Sequence, residues 1–212
     1  MTRVEAPVKS FSTGRTGRGP IPVRVPDGVI LRVSPDGFWN LCAANRDLRL
    51  ELTAEGVLTV RSPAGSESGR RNASLSGQLY VWATADGRGV VFNSNAGFTL
   101  PDGAVRAPDA SWIDRRRWNA IRPAQRKRFA LICPDFVAEL LSPSDTRSET
   151  QAKLRGYVDQ GALLGWLIDP ESGEVETYGP GRPVELLKSP KTLSGEDVLP
   201  GFLLDLTEIL SD

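Results

Sequence analysis

Short apolar runs dominate the chain up to residue 114 and predict a series of β-strands. These runs are VILRV (29–33), LRLEL (48–52), VLTVRS (57–62), GVVFN (89–93), GFTL (97–100) and VRAPDASWI (105–113). The AEG tripeptide between the second and third runs is typical of a hairpin turn, so we expect an antiparallel start. Within residues 70–84, apolar side chains recur at helical spacing and predict an amphipathic helix.

The pattern in residues 136–169 predicts a strand, a helix and a second strand. FVAELLS (136–142) is apolar on both faces, as expected of a buried strand. SETQAKLRGYVDQ has a helical apolar face and ends at Gly161, and LLGWLID follows as another strand. Such a βαβ unit implies a parallel pair with a right-handed crossover. With the preceding hairpins, the predicted fold class is α/β, with a central mixed sheet flanked by helices and an added N-terminal hairpin region.

The N-terminus differs in composition from the rest of the chain. Residues 1–27 mix Gly, Pro, Arg and Ser without periodicity, which predicts a flexible or irregular arm. Residues 28–212 are the right length for a single domain. Because no apolar run is long enough to cross a bilayer or to serve as a secretory signal, we expect a cytoplasmic protein with no membrane partner.

The residue types that are missing narrow the possible chemistry. The chain contains no histidine, which excludes a Ser/His/Asp triad, an HNH-type nuclease and the usual histidine zinc sites. Its two cysteines, Cys42 and Cys133, are far apart and are expected to be core thiols. Any catalysis must therefore use carboxylates, lysine or hydroxyl groups.

Charge is balanced overall but uneven along the chain. There are 26 basic and 26 acidic residues, so the net charge does not indicate a nucleic-acid partner. Residues 115–128, however, contain seven basic residues and no acid. This basic segment is compatible with a solvated surface and with phosphate binding.

Glu139 is the anomalous residue of the FVAELLS strand. An unpaired carboxylate in a strand that is apolar on both faces costs several kcal/mol, so Glu139 needs a cation as its partner. That cation could be a metal ion, or a lysine or arginine in a purely structural salt bridge. Both interpretations remain open at this point.

Asp109 raises the same question in the middle of VRAPDASWI. Pro108 predicts a strand edge or a bulge there, and an aspartate after proline can simply form a turn. If Asp109 and Glu139 instead lie inward on neighbouring strands, they form a hard-oxygen site suited to Mg²⁺ or Mn²⁺.

Two further charged residues could belong to such a site. Lys153 lies at the edge of the helix's apolar face and could reach the end of the sheet, or could pair with Glu149 one turn away. Glu51 has apolar neighbours on both sides in LRLEL and could be an additional acid, or could lie on the polar face of a half-exposed strand.

Four stretches of the sequence together resemble a known family. They are RAPDASWI, CPDFVAELLSPSD, QAKLRGYVDQGALLGWLIDP and LSGEDVLPGF. They are similar to the Uma-two family of restriction endonucleases, a branch of the PD-(D/E)XK nuclease superfamily, from about residue 29 to the C-terminus. The resemblance implies a restriction-endonuclease-like fold and metal-dependent hydrolysis of DNA phosphodiester bonds.

The resemblance also implies roles for individual residues. Asp109 would be the aspartate of the PD motif, Glu139 the second acid, Lys153 a lysine moved from strand to helix, and Glu51 the acid of the early strand. Asp109 and Glu139 would then hold Mg²⁺ or Mn²⁺. The sequence departs from the superfamily pattern at Leu141, where the strand lysine would stand.

Other positions of the family pattern are also recognisable. Asn72 stands where many members have histidine, and Asp135 is expected to be structural. The implied partner is DNA, and a homodimer is an expectation because many such nucleases cut two strands. The alternatives are a catalytically inactive module of the same fold that binds nucleic acid or protein, and a purely structural partner-binding protein.

Overall fold

A computed structural model describes residues 30–61, 65–143 and 145–211, and residues 31–212 form one compact unit. The arm predicted for residues 1–27 lies outside the described residues. The helices are α1 (Pro35–Ala44), α2 (Ser66–Asp86), α3 (Arg115–Ala120), α4 (Pro123–Arg126), α5 (Arg147–Asp159) and α6 (Thr207–Leu210). Within the described ranges, no helix is long and apolar enough to cross a membrane.

The strands of the described ranges form three sheets. They are β1 (Arg49–Leu52), β2 (Leu58–Arg61), β3 (Gly89–Asn93), β4 (Phe98–Thr99), β5 (Val105–Arg106), β6 (Ala110–Asp114), β7 (Ala130–Leu131), β8 (Phe136–Leu140), β9 (Leu164–Asp169), β10 (Glu174–Tyr178), β11 (Glu185–Lys188), β12 (Thr192–Ser194) and β13 (Leu203–Asp205). The five-stranded sheet has the order β2-β1-β5-β4-β7, and the six-stranded sheet has the order β11-β10-β9-β8-β6-β3. β12 and β13 pair separately.

The six-stranded sheet is mixed, as the sequence predicts. β8 and β9 are parallel and are joined by α5, whereas the other neighbouring pairs are antiparallel. In the five-stranded sheet, β1 and β2 form the predicted antiparallel hairpin. Its turn ends at Gly56, whose φ of 79° favours glycine.

The six-stranded sheet is covered on both faces, which explains the apolar character of β8. Phe136 and Ala138 belong to the core that includes Leu75 and Leu79 of α2. Val137, on the opposite face, packs with Leu154 and Tyr157 of α5. Glu139 shares the face of Val137 by strand alternation, so its carboxylate lies on the α5 side.

Two predicted strands differ from the structure. VRAPDASWI is not one strand, because residues 107–109 separate β5 in the five-stranded sheet from β6 in the six-stranded sheet. Pro108 lacks an N–H to continue a ladder, which explains why the change of sheet occurs there. Of VILRV, residues 30–33 contribute only an isolated bridge between Arg32 and Val57.

The sequence interpretation also missed α1. This helix begins after Ser34, whose side chain accepts a 3.2 Å hydrogen bond from the N–H of Gly37, and Pro35 occupies its first turn. A serine followed by proline is a standard helix start, so the signal was present in the sequence.

Candidate active site

Lys153 lies between two buried carboxylates contributed by different sheets. Its Nζ is 2.8 Å from Glu51 Oε1 and 2.8 Å from Glu139 Oε1. It also approaches the carbonyl oxygen of Ala107 at 3.5 Å, and lies 5.9 Å from the ring centroid of Tyr157, one turn further along α5. Only 7% of Lys153 is exposed, so these contacts replace water around the ammonium. The structure therefore brings Lys153 to the sheets.

Glu51 is held from several directions. The N–H of Ala107 donates to Glu51 Oε1 at 3.2 Å, and Arg106 lies 3.4 Å from Oε2. Glu51 lies in β1, between β2 and β5, and is 2% exposed. The interpretation of Glu51 as part of a half-exposed polar face is therefore wrong.

Glu139 is equally enclosed, and its ionisation is perturbed. It is 4% exposed on β8. Burial raises the pKa of Glu139 to about 7; the ammonium of Lys153 opposes the rise, and the carboxylates of Asp109 and Glu51 add to it. A further cation beside Glu139 would favour its ionised form.

Asp109 lies opposite Glu139 across the β6–β8 pair. The register pairs Ala110 with Ala138, and one residue further along, Asp109 faces Glu139. Asp109 Oδ2 accepts a 2.9 Å hydrogen bond from the N–H of Leu140, and Oδ1 is 3.8 Å from Arg49. The two acids thus lie at the same end of neighbouring strands, which is one of the two arrangements that the sequence left open.

A cavity of about 520 Å³ opens onto this end of the sheet. Asp109, Glu139 and Lys153 line the cavity, whereas Glu51 contacts Lys153 without being a lining residue. The remaining walls are mainly small or polar: Arg49, Thr59, Val60, Ser68, Gly69, Asn72, Ala73, Ser76, Asn93, Ser94, Ala107, Leu140, Ser142, Asp145, Thr146, Glu149 and Thr150. A phosphate with its flanking sugars could enter such a cavity.

Asp109 and Glu139 are suited to a particular class of metal ion. The described residues contain no group of three or more His, Cys, Asp or Glu side chains arranged to hold a metal. Mg²⁺, however, commonly uses one or two carboxylates and takes its other oxygens from water and substrate phosphate. Among the described residues, Glu139 Oε1 is buried and accepts no hydrogen bond of good geometry, although Lys153 Nζ lies 2.8 Å from it as an ion-pair partner. The donor set therefore fits Mg²⁺ or Mn²⁺.

The other positions singled out in the sequence have different surroundings. Leu141 does not line the cavity, and the lysine that does line it is Lys153 of α5. Asn72 of α2 does line it. Asp135 accepts a 2.8 Å hydrogen bond from the N–H of Asp114 and pairs with Arg117, so it has the structural role expected.

Sequence reasoning overlooked two arginines next to the acids. Arg49 approaches Asp109, and Arg106 approaches Glu51. Arg49 shares the strand face of Glu51 two residues away, so alternation could have placed it near the acids. The contact of Arg106 depends on β5 pairing with β1, which no local pattern specifies.

Comparisons with known proteins identify the family and the fold. The family model Uma2, whose description is "Putative restriction endonuclease", matches residues 35–207. A solved structure from Anabaena variabilis ATCC 29413, described as "a putative nuclease belonging to DUF820", is similar with a TM-score of 0.70 and 20% identity, covering 84% of this chain and 97% of that one. No curated protein matches the chain. The expected restriction-endonuclease-like fold is therefore confirmed.

Proposed function

The chain belongs to the Uma2 family, and on this premise we propose that it is a divalent-metal-dependent endonuclease that hydrolyses phosphodiester bonds of DNA. The observation that carries the proposal is the convergence of Asp109, Glu139 and Lys153 on one cavity. These residues come from the segment before β6, from β8 and from α5. In a chain without histidine, two carboxylates can hold a divalent ion and an ammonium can offset negative charge on a phosphate.

In this proposal, Asp109 and Glu139 hold Mg²⁺ or Mn²⁺. When bound, the ion supplies Lewis-acid activation of the phosphate and a lowered pKa for a coordinated water. The N–H of Leu140 orients Asp109, and strand pairing keeps Glu139 opposite it. The positions of both acids are therefore fixed by β8 before any ligand enters, which reduces the cost of assembling the site.

Lys153 would contribute charge at the reacting phosphate. Its Nζ lies beside Glu139 and lines the cavity, so a phosphate held at the acids would come within reach of the ammonium. The ammonium would stabilise negative charge that develops on phosphate oxygens or orient the attacking water. Glu51 would act through Lys153, as the residue that positions it.

A cleavage assay tests the proposal. Purified protein would be incubated with plasmid, linear and single-stranded DNA in Mg²⁺ and then Mn²⁺, beside an Asp109→Ala, Glu139→Ala double variant. Glu185→Ala, at an exposed position of β11, is the matched control. We expect cleavage to require metal, to persist in the control and to be lost in the folded double variant. Undiminished cleavage by the double variant would refute the proposal.

One observation favours a second candidate, a catalytically inactive module of the same fold that binds nucleic acid or protein. Lys153 already pairs with both Glu51 and Glu139, as a structural ion-pair cluster would. Calorimetric titration with Mg²⁺ and Mn²⁺ separates the candidates. Metal binding that depends on Glu139 supports the nuclease, and its absence supports the inactive module.

A further inference from the structure

We propose that Arg116, Arg122 and Lys127, on and beside α3 and α4, form a second contact surface for the phosphate backbone of the substrate, separate from the cavity. The inference rests on the proposed function in taking nucleic acid as the ligand. The proposed surface would supply affinity for the substrate, whereas the cavity residues would carry out the hydrolysis.

Of the seven cations of residues 115–128, four have side-chain contacts within the described fold: three are hydrogen-bonded arginines, and Arg128 lies 5.4 Å from the ring centroid of Trp39. Three of the arginines donate hydrogen bonds within the fold. Arg115 donates to the carbonyl oxygens of Gly87 (2.9 Å) and Gly89 (2.7 Å), and Arg126 donates to those of Ile121 (2.8 Å) and Asn119 (2.9 Å). Arg117 donates to the carbonyl oxygen of Cys133 (3.1 Å) and to the carboxylate of Asp135. Their role is structural, because each satisfies carbonyl or carboxylate oxygens that local secondary structure leaves unpaired.

Arg116, Arg122 and Lys127 are different. All three are exposed, and none forms an ion pair or side-chain hydrogen bond with residues 30–61, 65–143 or 145–211. The acid nearest in sequence to Arg116 and Arg122, Asp114, turns its carboxylate to the backbone N–H groups of Arg116 and Arg117 and so caps α3. These cations are therefore available to an external anion.

The cavity itself is poor in cations that could bind a DNA backbone. Its described lining contains four acids, Asp109, Glu139, Asp145 and Glu149, and two cations, Arg49 and Lys153. Both cations lie beside the first two acids. Neutralised phosphates supply most non-specific affinity for DNA, so cations outside the cavity would strengthen binding of a DNA backbone.

The length of β6 sets the distance between the acids of the cavity and the start of α3, where Arg116 lies. Asp109 immediately precedes this strand, and α3 immediately follows it. Six residues at about 3.3 Å each give a separation of roughly 20 Å. That length corresponds to about six base pairs of duplex DNA, so one substrate could contact both surfaces.

The test compares two triple variants that lose the same charge. Arg116→Ala, Arg122→Ala, Lys127→Ala removes the proposed surface. Arg155→Ala, Lys188→Ala, Lys191→Ala removes three exposed cations elsewhere; of these, Lys188 ends β11, four strands from β6 in the sheet. Binding of a labelled duplex long enough to span both surfaces would be followed by fluorescence anisotropy in EDTA over a range of salt concentrations, with circular dichroism to verify folding.

We expect the first variant to bind about ten-fold or more weakly than the wild type at low salt, with a log–log salt slope lower by about 3, because about one counterion is released for each phosphate contact. The control variant should retain the wild-type slope. Wild-type affinity in the first variant, an equal loss in the control, or no DNA binding by the wild-type protein would each overturn the inference.

Cleavage assays keep this inference distinct from the proposed function. Metal-dependent cleavage together with unchanged binding by the first variant would refute the second surface alone. DNA binding that depends on Arg116, Arg122 and Lys127, without any cleavage, would support the second surface and refute the nuclease.

Discussion

The carboxylate of Asp109 accepts a 2.9 Å hydrogen bond from the backbone N–H of Leu140, the residue after Glu139. The segment before β6 is thereby tied to the main chain of β8, whatever side chain stands at position 139. Substituting Glu139 should therefore leave Asp109 in place. Single substitutions can then measure how much each acid contributes to cleavage.

Replacing Lys153 with methionine should greatly slow cleavage and should destabilise the protein. Glu51 and Glu139 would remain buried without the ammonium between them, and breaking a buried ion pair costs about 3 to 5 kcal/mol. Urea unfolding measures the stability, and assays on the folded fraction should show a loss of about a hundred-fold or more. Lys191→Met, at an exposed position, should match the wild type. Wild-type cleavage by Lys153→Met would exclude a catalytic role.

Glu51 and Lys153 should be energetically coupled. Once Lys153→Met has removed the ammonium, Glu51→Gln removes a buried charge that has lost a close partner, so the double variant should be more stable than the sum of the two losses predicts. A double-mutant cycle by urea unfolding should give a coupling of about 1 to 3 kcal/mol. Glu51→Gln combined with Arg182→Ala, at an exposed position, is the control pair, and its two effects on stability should add. Additivity for both pairs would show that the 2.8 Å contact contributes nothing.

Glu176 should make stability depend on pH in the acid range. Burial acts to raise the pKa of Glu176, but hydrogen bonds from Tyr178, Arg147 and Gln151 outweigh it and hold the pKa below its ordinary value. A carboxylate with a lowered folded-state pKa stabilises the protein above its unfolded pKa, about 4.3, and this contribution is lost as pH falls through the folded value.

Urea unfolding of the wild type and Glu176→Gln checks this dependence. The wild type should be the more stable protein near neutral pH, and the difference should shrink as the pH falls below about 4. A difference that stays constant across this range would contradict the assignment.

Alanine at position 89 should destabilise the six-stranded sheet. A Cβ on Gly89 would lie 2.0 Å from the ring of Trp112, which is itself packed in the core. Overpacking of this kind costs about 1 to 3 kcal/mol. Gly156→Ala in α5 is the control, because a Cβ there meets no atom within 4 Å and should stabilise the helix by about 0.5 to 1 kcal/mol. The midpoint temperature of thermal unfolding should fall for Gly89→Ala and rise for Gly156→Ala.

The sequence predicts the β8–α5–β9 unit well because its signals are local. Strand alternation in β8 and helical spacing in α5 each depend on residues close in the chain. The same local patterns identify Glu139 as an unusual buried acid and place Lys153 at the edge of the apolar face. Gly161 ends the helix as expected, with a φ of 110°.

The contacts between distant segments could not be predicted in the same way. Glu51 and Lys153 are 102 residues apart, and their contact requires β1 to lie beside β5. No periodicity specifies that pairing, so Glu51 was compatible with an exposed strand face. In the basic segment, likewise, only the folded carbonyls around residues 87–89 distinguish Arg115 from Arg116.

Lys153 connects the five-stranded sheet, through Glu51, to the six-stranded sheet, through Glu139. A chain emerging from the ribosome lacks this connection until α5 has been synthesised and both sheets have docked. The proposed cleavage would thus depend on the docking of both sheets, because neither sheet alone supplies both acids that hold Lys153.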